Sequence, residues 1–135
     1  WGNAVRRGRD RGWAPGVGEA VVILLLTGFA GALGAVLRFL VDAAVQRAHR
    51  LSLPVGTWAI NVTGSLALGV LHGWQAPAEA VAILGTGLCG GFTTFSTASV
   101  EAVRLAARPA VGAGYAVVTL GSCVAAVALG HWFAA

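Results

Sequence analysis

Residues 90–99 read Gly90-Gly91-Phe92-Thr93-Thr94-Phe95-Ser96-Thr97-Ala98-Ser99, and this run lies inside an apolar stretch long enough to cross a bilayer. Two glycines and a series of hydroxyl side chains make a poor lipid-facing helix. Glycine costs helix stability, and Ser and Thr oxygens compete for backbone hydrogen bonds. Irregular backbone at membrane depth is tolerated only where it packs in protein or lines a wet cavity. The run therefore predicts an interruption in a membrane helix and a site for an ion or small solute.

The block that holds this run extends from Ala78 to about Val103. Three more apolar blocks flank it: Ala20 to Val41, Val55 to Trp74, and Ala110 to Trp132. Charges and prolines collect in the breaks, which are Asp42 to Pro54, Gln75 to Glu79 and Arg104 to Pro109. The chain has 135 residues, of which 57% are hydrophobic and 10% charged; a soluble domain carries about 25% charged residues. A span needs roughly 20 apolar residues, so the length accommodates four. The reading is an all-α integral membrane protein with one domain, residues 20–135, after a basic tail, residues 1–19. Short links make neighbouring helices antiparallel. Trp58, Trp74 and Trp132 lie near block ends, where aromatic belts sit. The arginines, apolar run and Ala30-Gly31-Ala32 of the first block look like a cleavable signal. Its apolar character continues to Leu40, however, and three spans follow, so a retained helix is expected.

Every basic residue is an arginine. Arg6, Arg7, Arg9 and Arg11 crowd the tail, which reads as a solvated juxtamembrane segment rather than a nucleic-acid module. If the N-terminus is cytoplasmic, these four face Arg47, Arg50, Arg104 and Arg108 on the other side. That balance leaves the positive-inside rule without a decision. Either distant tail arginines count less, or copies insert both ways and pair antiparallel. Gly28, Gly31, Gly34, Gly64, Gly69, Gly87 and Gly91 fall within the spans, the last two as a GxxxG pair. Such residues let helices approach closely, and a dimer is expected.

No catalytic set is visible. His49, His72 and His131 stand at span ends without a nucleophile and carboxylate in pattern, and the protein does not read as an enzyme. Cys89 and Cys123 lie in spans and read as packing residues. Asn61 is the strongly polar side chain in mid-span; its amide N–H groups can hold a dehydrated anion or bond a neighbouring helix. Phe92 and Phe95 are core aromatics or, through the positive ring edge, anion contacts. Arg38 can snorkel to the interface or gather anions at a vestibule. Glu101 can pair with an arginine or cap a helix. Tyr115 and Thr119 share a helix face, continued by Ser122 and Cys123 as a polar track or as interhelical bonds.

From Gly28 onward the chain resembles the CrcB/Fluc fluoride channel family. The resemblance rests on four elements in order: Gly31 to Ala35 with Arg38; Gly56-Thr57, then Asn61 and Gly64-Ser65; Gly90 to Thr97; and Tyr115 with Thr119. It implies a four-helix subunit with a broken third helix, pairing as an antiparallel, dual-topology dimer in the cell membrane. It implies two fluoride pores that export cytosolic fluoride passively and so protect against its toxicity; HF enters, dissociates and leaves the anion inside. It implies a structural sodium ion held by the carbonyls of Gly90 and Thr93. The implied pore residues are Asn61, Phe95, Tyr115, Thr119 and one of Ser122 and Cys123, of which Ser122 is the first choice. Arg38, Thr57 and Glu101 are placed in vestibule or structural roles.

One position departs from the family pattern. Family members often carry a second phenylalanine three residues after the first, and Ala98 stands there. The alternative reading is thus a poorly conducting or structural partner in a heterodimer with a paralogous subunit. A small multidrug transporter shares the size, but that class needs a carboxylate within its first span; Glu19 lies at the edge and Asp42 beyond the end.

Overall fold

The computed structural model describes residues 16–48 and 54–135; the expectations for the arginine tail, His49 and Arg50 fall outside them. Every regular element among the described residues is a helix. Helix α1 (Val17–Ala48) is followed by α2 (Val55–Gly73). Helix α3 (residues 78–92) starts after Pro77 and is π-wound over Val81–Cys89, with ordinary α turns at Ala78–Ala80 and Gly90–Phe92. Helix α4 (Phe95–Arg104) leads through a 3₁₀ turn at Leu105–Ala107 into α5 (Pro109–Ala134), which has proline in its first turn.

Helix α1 runs past Val41, where the charge of Asp42 suggested a break. Residues 42–48 contain neither Gly nor Pro, and Gln46 Nε2 donates to Asp42 Oδ2 at 2.7 Å, one turn back. Good helix formers with an i,i+4 pair keep winding after they leave the apolar layer. The α2–α3 turn is tight, and Gln75 takes φ 50° within it.

Among the described residues three segments are long and apolar enough to cross a membrane: Val17–Arg47, Ala78–Ala107 and Pro109–Ala134. Helix α2 has 19 residues, about 28 Å at 1.5 Å per residue, but Thr57, Asn61, Thr63, Ser65 and His72 dilute its apolar character.

Glycine seams set the packing. A methyl at Gly91 would land on the Gly31 backbone, one at Gly34 on the Leu88 carbonyl, and one at Gly87 would lie 2.6 Å from the Thr27 oxygen. Helices α1 and α3 therefore run parallel in backbone contact, and the Gly87/Gly91 pair is spent inside the chain. Helix α2 lies parallel to α5 in the same way, with Gly69 on Val127, Gly130 on Leu66 and Gly73 on His131. Gly112 seats α5 against Ala102 and Ala106. The alternation of direction fits a four-pass chain whose third pass comprises α3 and α4. Among the described residues the buried apolar side chains are few: Ile60, Ala30, Cys89 and Ala126. Large residues such as Leu24, Phe39, Val117 and Phe133 point outward, as lipid-facing surfaces require.

Candidate functional site

Between α3 and α4 the backbone leaves the helical region. Thr93 has φ −76°, ψ 161° and Thr94 has φ −149°, ψ 118°. Each polar group stranded there must find a partner. Asn61 on α2 supplies two: its Nδ2 donates to the Thr94 carbonyl at 3.0 Å, and its Oδ1 accepts from the Thr94 N–H at 2.7 Å. The reciprocal pair also fixes which way the amide faces. Asn61 is 7% exposed and Thr94 8%, so the bonds are held away from solvent.

The Thr94 hydroxyl caps α4, accepting from the Thr97 N–H at 3.2 Å and donating to Thr97 Oγ1 at 3.0 Å. A Thr in extended conformation just before a helix is a favoured N-cap. Thr93 turns its hydroxyl back to the Cys89 carbonyl at 2.9 Å, while Arg38 from α1 brings Nη1 to 3.5 Å from the Thr93 carbonyl. Three helices thus meet at two residues.

Beside them lies a cavity of about 640 Å³, lined mainly by apolar and small residues. Asn61, Gly90, Thr93, Thr94, Phe95, Ala98, Tyr115, Thr119 and Cys123 all contribute to its wall. Several hydroxyls on the helices are satisfied on their own helix: Thr27 bonds the Ile23 carbonyl, Thr63 that of Ala59, and Ser99 that of Phe95. Tyr115 Oη and Thr119 Oγ1 differ. Both are buried and neither has a hydrogen-bond partner. Leaving such a group unpaired costs about 1–3 kcal/mol, and the two sit one turn apart on the cavity wall.

The other sequence candidates divide. Ser122 is not on the cavity wall: it accepts from Trp58 Nε1 at 2.9 Å and donates to the Val118 carbonyl at 2.7 Å, fastening α5 to α2. The cavity position on that turn belongs to Cys123. Phe95 is 89% exposed, with Ala98 one turn on. Thr57 is buried at 4%. Glu101 stands 3.7 Å from Arg104 on its own helix. Thr94, which sequence reasoning did not single out, is the best-connected residue of the site; its signal was the Ser/Thr N-cap pattern at the start of a new helix.

Among the described residues no three His, Cys, Asp or Glu side chains gather as metal ligands, so a cation here would rely on carbonyl oxygens. In a continuous helix the Thr94 N–H would bond the Gly90 carbonyl; it bonds Asn61 instead, which releases that oxygen. Freed carbonyls are the donor type a hard cation takes. Gly90 and Thr93 thus fit as a partial ligand set, with Arg38 competing for Thr93.

The profile of the family described as "CrcB-like protein, Camphor Resistance (CrcB)" matches residues 25–131. A protein of Leifsonia xyli named fluoride-specific ion channel FluC 1 is 46% identical over 121 residues, covering 82% of this chain and 85% of its own. Fluoride-specific ion channel FluC 2 of Mycobacterium tuberculosis is 42% identical over 106 residues, covering 77% and 84%. Fluoride-specific ion channel FluC 1 of Nocardia farcinica is 39% identical over 129 residues, covering 91% and 89%.

Proposed function

The chain belongs to the CrcB-like family, and from that premise we propose that this multi-pass membrane protein is a fluoride channel subunit, letting cytosolic fluoride leave down its electrochemical gradient. It is not an enzyme. The observation that carries the reading is the pair of buried, unpartnered hydroxyls, Tyr115 Oη and Thr119 Oγ1, on the wall of a cavity at membrane depth. A hydroxyl donates to an anion as readily as to a carbonyl. Fluoride sheds tightly held water on entering, and donors waiting without partners offset part of that loss. The spare N–H of Asn61 and the edge of the Phe95 ring serve the same anion, and Cys123 extends the stripe in place of Ser122.

The interruption at Thr93 and Thr94 is read as a functional break of the third span. The apolar outer surface, with Phe95 exposed beside an open cavity, supports pairing with a second, oppositely inserted copy across that face. Gly90 and Thr93 would then contribute carbonyls from each subunit to a sodium ion, whose charge would pin the two breaks together. Membrane lipid covers the rest. A merely structural partner role, suggested by Ala98, is not favoured beside relatives named as channels.

The test is fluoride efflux from liposomes that contain this chain alone, read with a fluoride electrode against chloride efflux. Fast, fluoride-selective release is expected. Release no faster than from empty liposomes would overturn the channel reading and reinstate the partner role.

A further inference from the structure

We propose that Asn61 and Thr94 form a positioning pair that keeps the α3–α4 break open and thereby creates the carbonyl site at Gly90. The inference rests on the cation reading above and deepens it. The Thr94 N–H has two competing acceptors. One is the Gly90 carbonyl, four residues back, which would make α3 and α4 one continuous helix. The other is Asn61 Oδ1, which holds it at 2.7 Å. Asn61 wins because it offers a second bond at once, from Nδ2 to the Thr94 carbonyl at 3.0 Å. That carbonyl would otherwise face the apolar interior from an extended backbone unpaired. The Thr94 hydroxyl adds to the balance by capping α4 through the Thr97 N–H, a bond that requires Thr94 to stay out of the helix.

The consequence is a linkage. A cation on the Gly90 oxygen and the Asn61 amide on Thr94 both favour the open break and oppose its closure into helix. Two events that stabilise the same state strengthen one another equally. Asn61 thus acts on the cation through backbone geometry, without being its ligand. Its role as an anion donor is separate, because one Nδ2 hydrogen lies on the Thr94 carbonyl and the other remains.

Hydrogen–deuterium exchange over residues 89–97 of the purified full-length protein tests this, titrating sodium against N-methylglucamine. In the unsubstituted protein sodium should slow exchange of this segment. Asn61→Ala removes both bonds, so about tenfold more sodium should be needed for the same protection, the worth of roughly one net hydrogen bond. Asn61→Asp retains the acceptor for the Thr94 N–H but loses the donor to the Thr94 carbonyl, so its sodium response should shift by less than that of Asn61→Ala, while the added charge impairs fluoride passage. A purely structural role would damage both variants alike. An unshifted sodium response in Asn61→Ala overturns the proposal. If sodium protects nothing in the unsubstituted protein, the cation reading fails by itself, and sodium-free exchange then decides on the pair: faster exchange in Asn61→Ala upholds it and unchanged exchange rejects it. Should Asn61→Ala not fold, Thr94→Val and Thr94→Ser make the same comparison. Val loses the cap and should weaken the sodium response, whereas Ser retains both.

Discussion

The two helix seams of this molecule are built from the same residue, yet they do different work. Along α1–α3, Gly31, Gly34, Gly87 and Gly91 bring backbone onto backbone. Helices α2 and α5 begin alike, with Gly69, Gly73 and Gly130 in contact over one half. Over the other half Trp58 still bonds Ser122, but Asn61 of α2 and Tyr115 and Thr119 of α5 line the cavity together with Thr94. In lipid, where apolar surface gives little drive for association, close packing must hold the bundle. The dry seam and the dry half-seam supply that hold, which lets the other half keep unsatisfied hydroxyls. Rigidity is concentrated in one place so that polar groups can be left unpaired in another.

The sharpest way to break this division is to fill the dry seam. Gly91→Leu drives a side chain into the Gly31 backbone, and overpacking of this kind costs about 3 kcal/mol. We expect loss of folded protein by size-exclusion chromatography in detergent, with no active fraction left; a stable, conducting Gly91→Leu protein would show that the seam is not what holds the bundle. Next in size is Asn61→Asp. A carboxylate brings negative charge to the cavity and sets an oxygen against the Thr94 carbonyl, so fluoride efflux should fall at least about tenfold, the worth of one hydrogen bond to a charged group, while the protein remains folded. Unchanged efflux would remove Asn61 from the anion path.

Smaller but more diagnostic are Tyr115→Phe and Thr119→Val. Each removes a hydroxyl that has no partner. Removing a buried, unsatisfied group should leave the thermal midpoint equal or higher, whereas efflux should drop several-fold, by about the same bond energy. The opposite signs separate a transport role from a packing role, and a parallel fall in both quantities would refute it. Smallest of all is Ser122→Ala. Its hydroxyl serves Trp58 and Val118, so efflux should stay within about twofold, as for changes away from a site, with any loss confined to stability.

How much of this could be read in the sequence follows from which interactions are local. The apolar blocks and the odd composition of residues 90–99 are local facts, and they led to the helical class and to Thr93–Thr94. The end of α1 is not legible from hydropathy, because helix propensity in residues 42–48 does not depend on it. The sequence leaves Ser122 and Cys123 undecided for a different reason. Tyr115 and Thr119 fix a stripe, but Ser122 and Cys123 lie three and four residues beyond Thr119, and helical spacing admits either. The choice is made by how α5 is rotated against α2, with Gly130 on Leu66 and Trp58 on Ser122, contacts that no single segment contains. The bonding role of Thr94 is not legible in the sequence, because it lies in two bonds to Asn61 on another segment and one to its own cap.

The lengths of the first two passes have one more consequence. Helix α1 has 32 residues and α2 has 19, about 48 Å and 28 Å, against a hydrocarbon layer of about 30 Å. The first two passes are therefore of unequal length, α1 overhanging the hydrocarbon layer and α2 only just matching it. On the α1 side, thickening is absorbed by tilt or by the overhanging turns beyond Val41. On the α2 side there is no slack, and a thicker bilayer must pinch inward beside the cavity wall. Acyl-chain length thus becomes a mechanical load applied to one flank of the protein, and that flank is the one carrying Asn61.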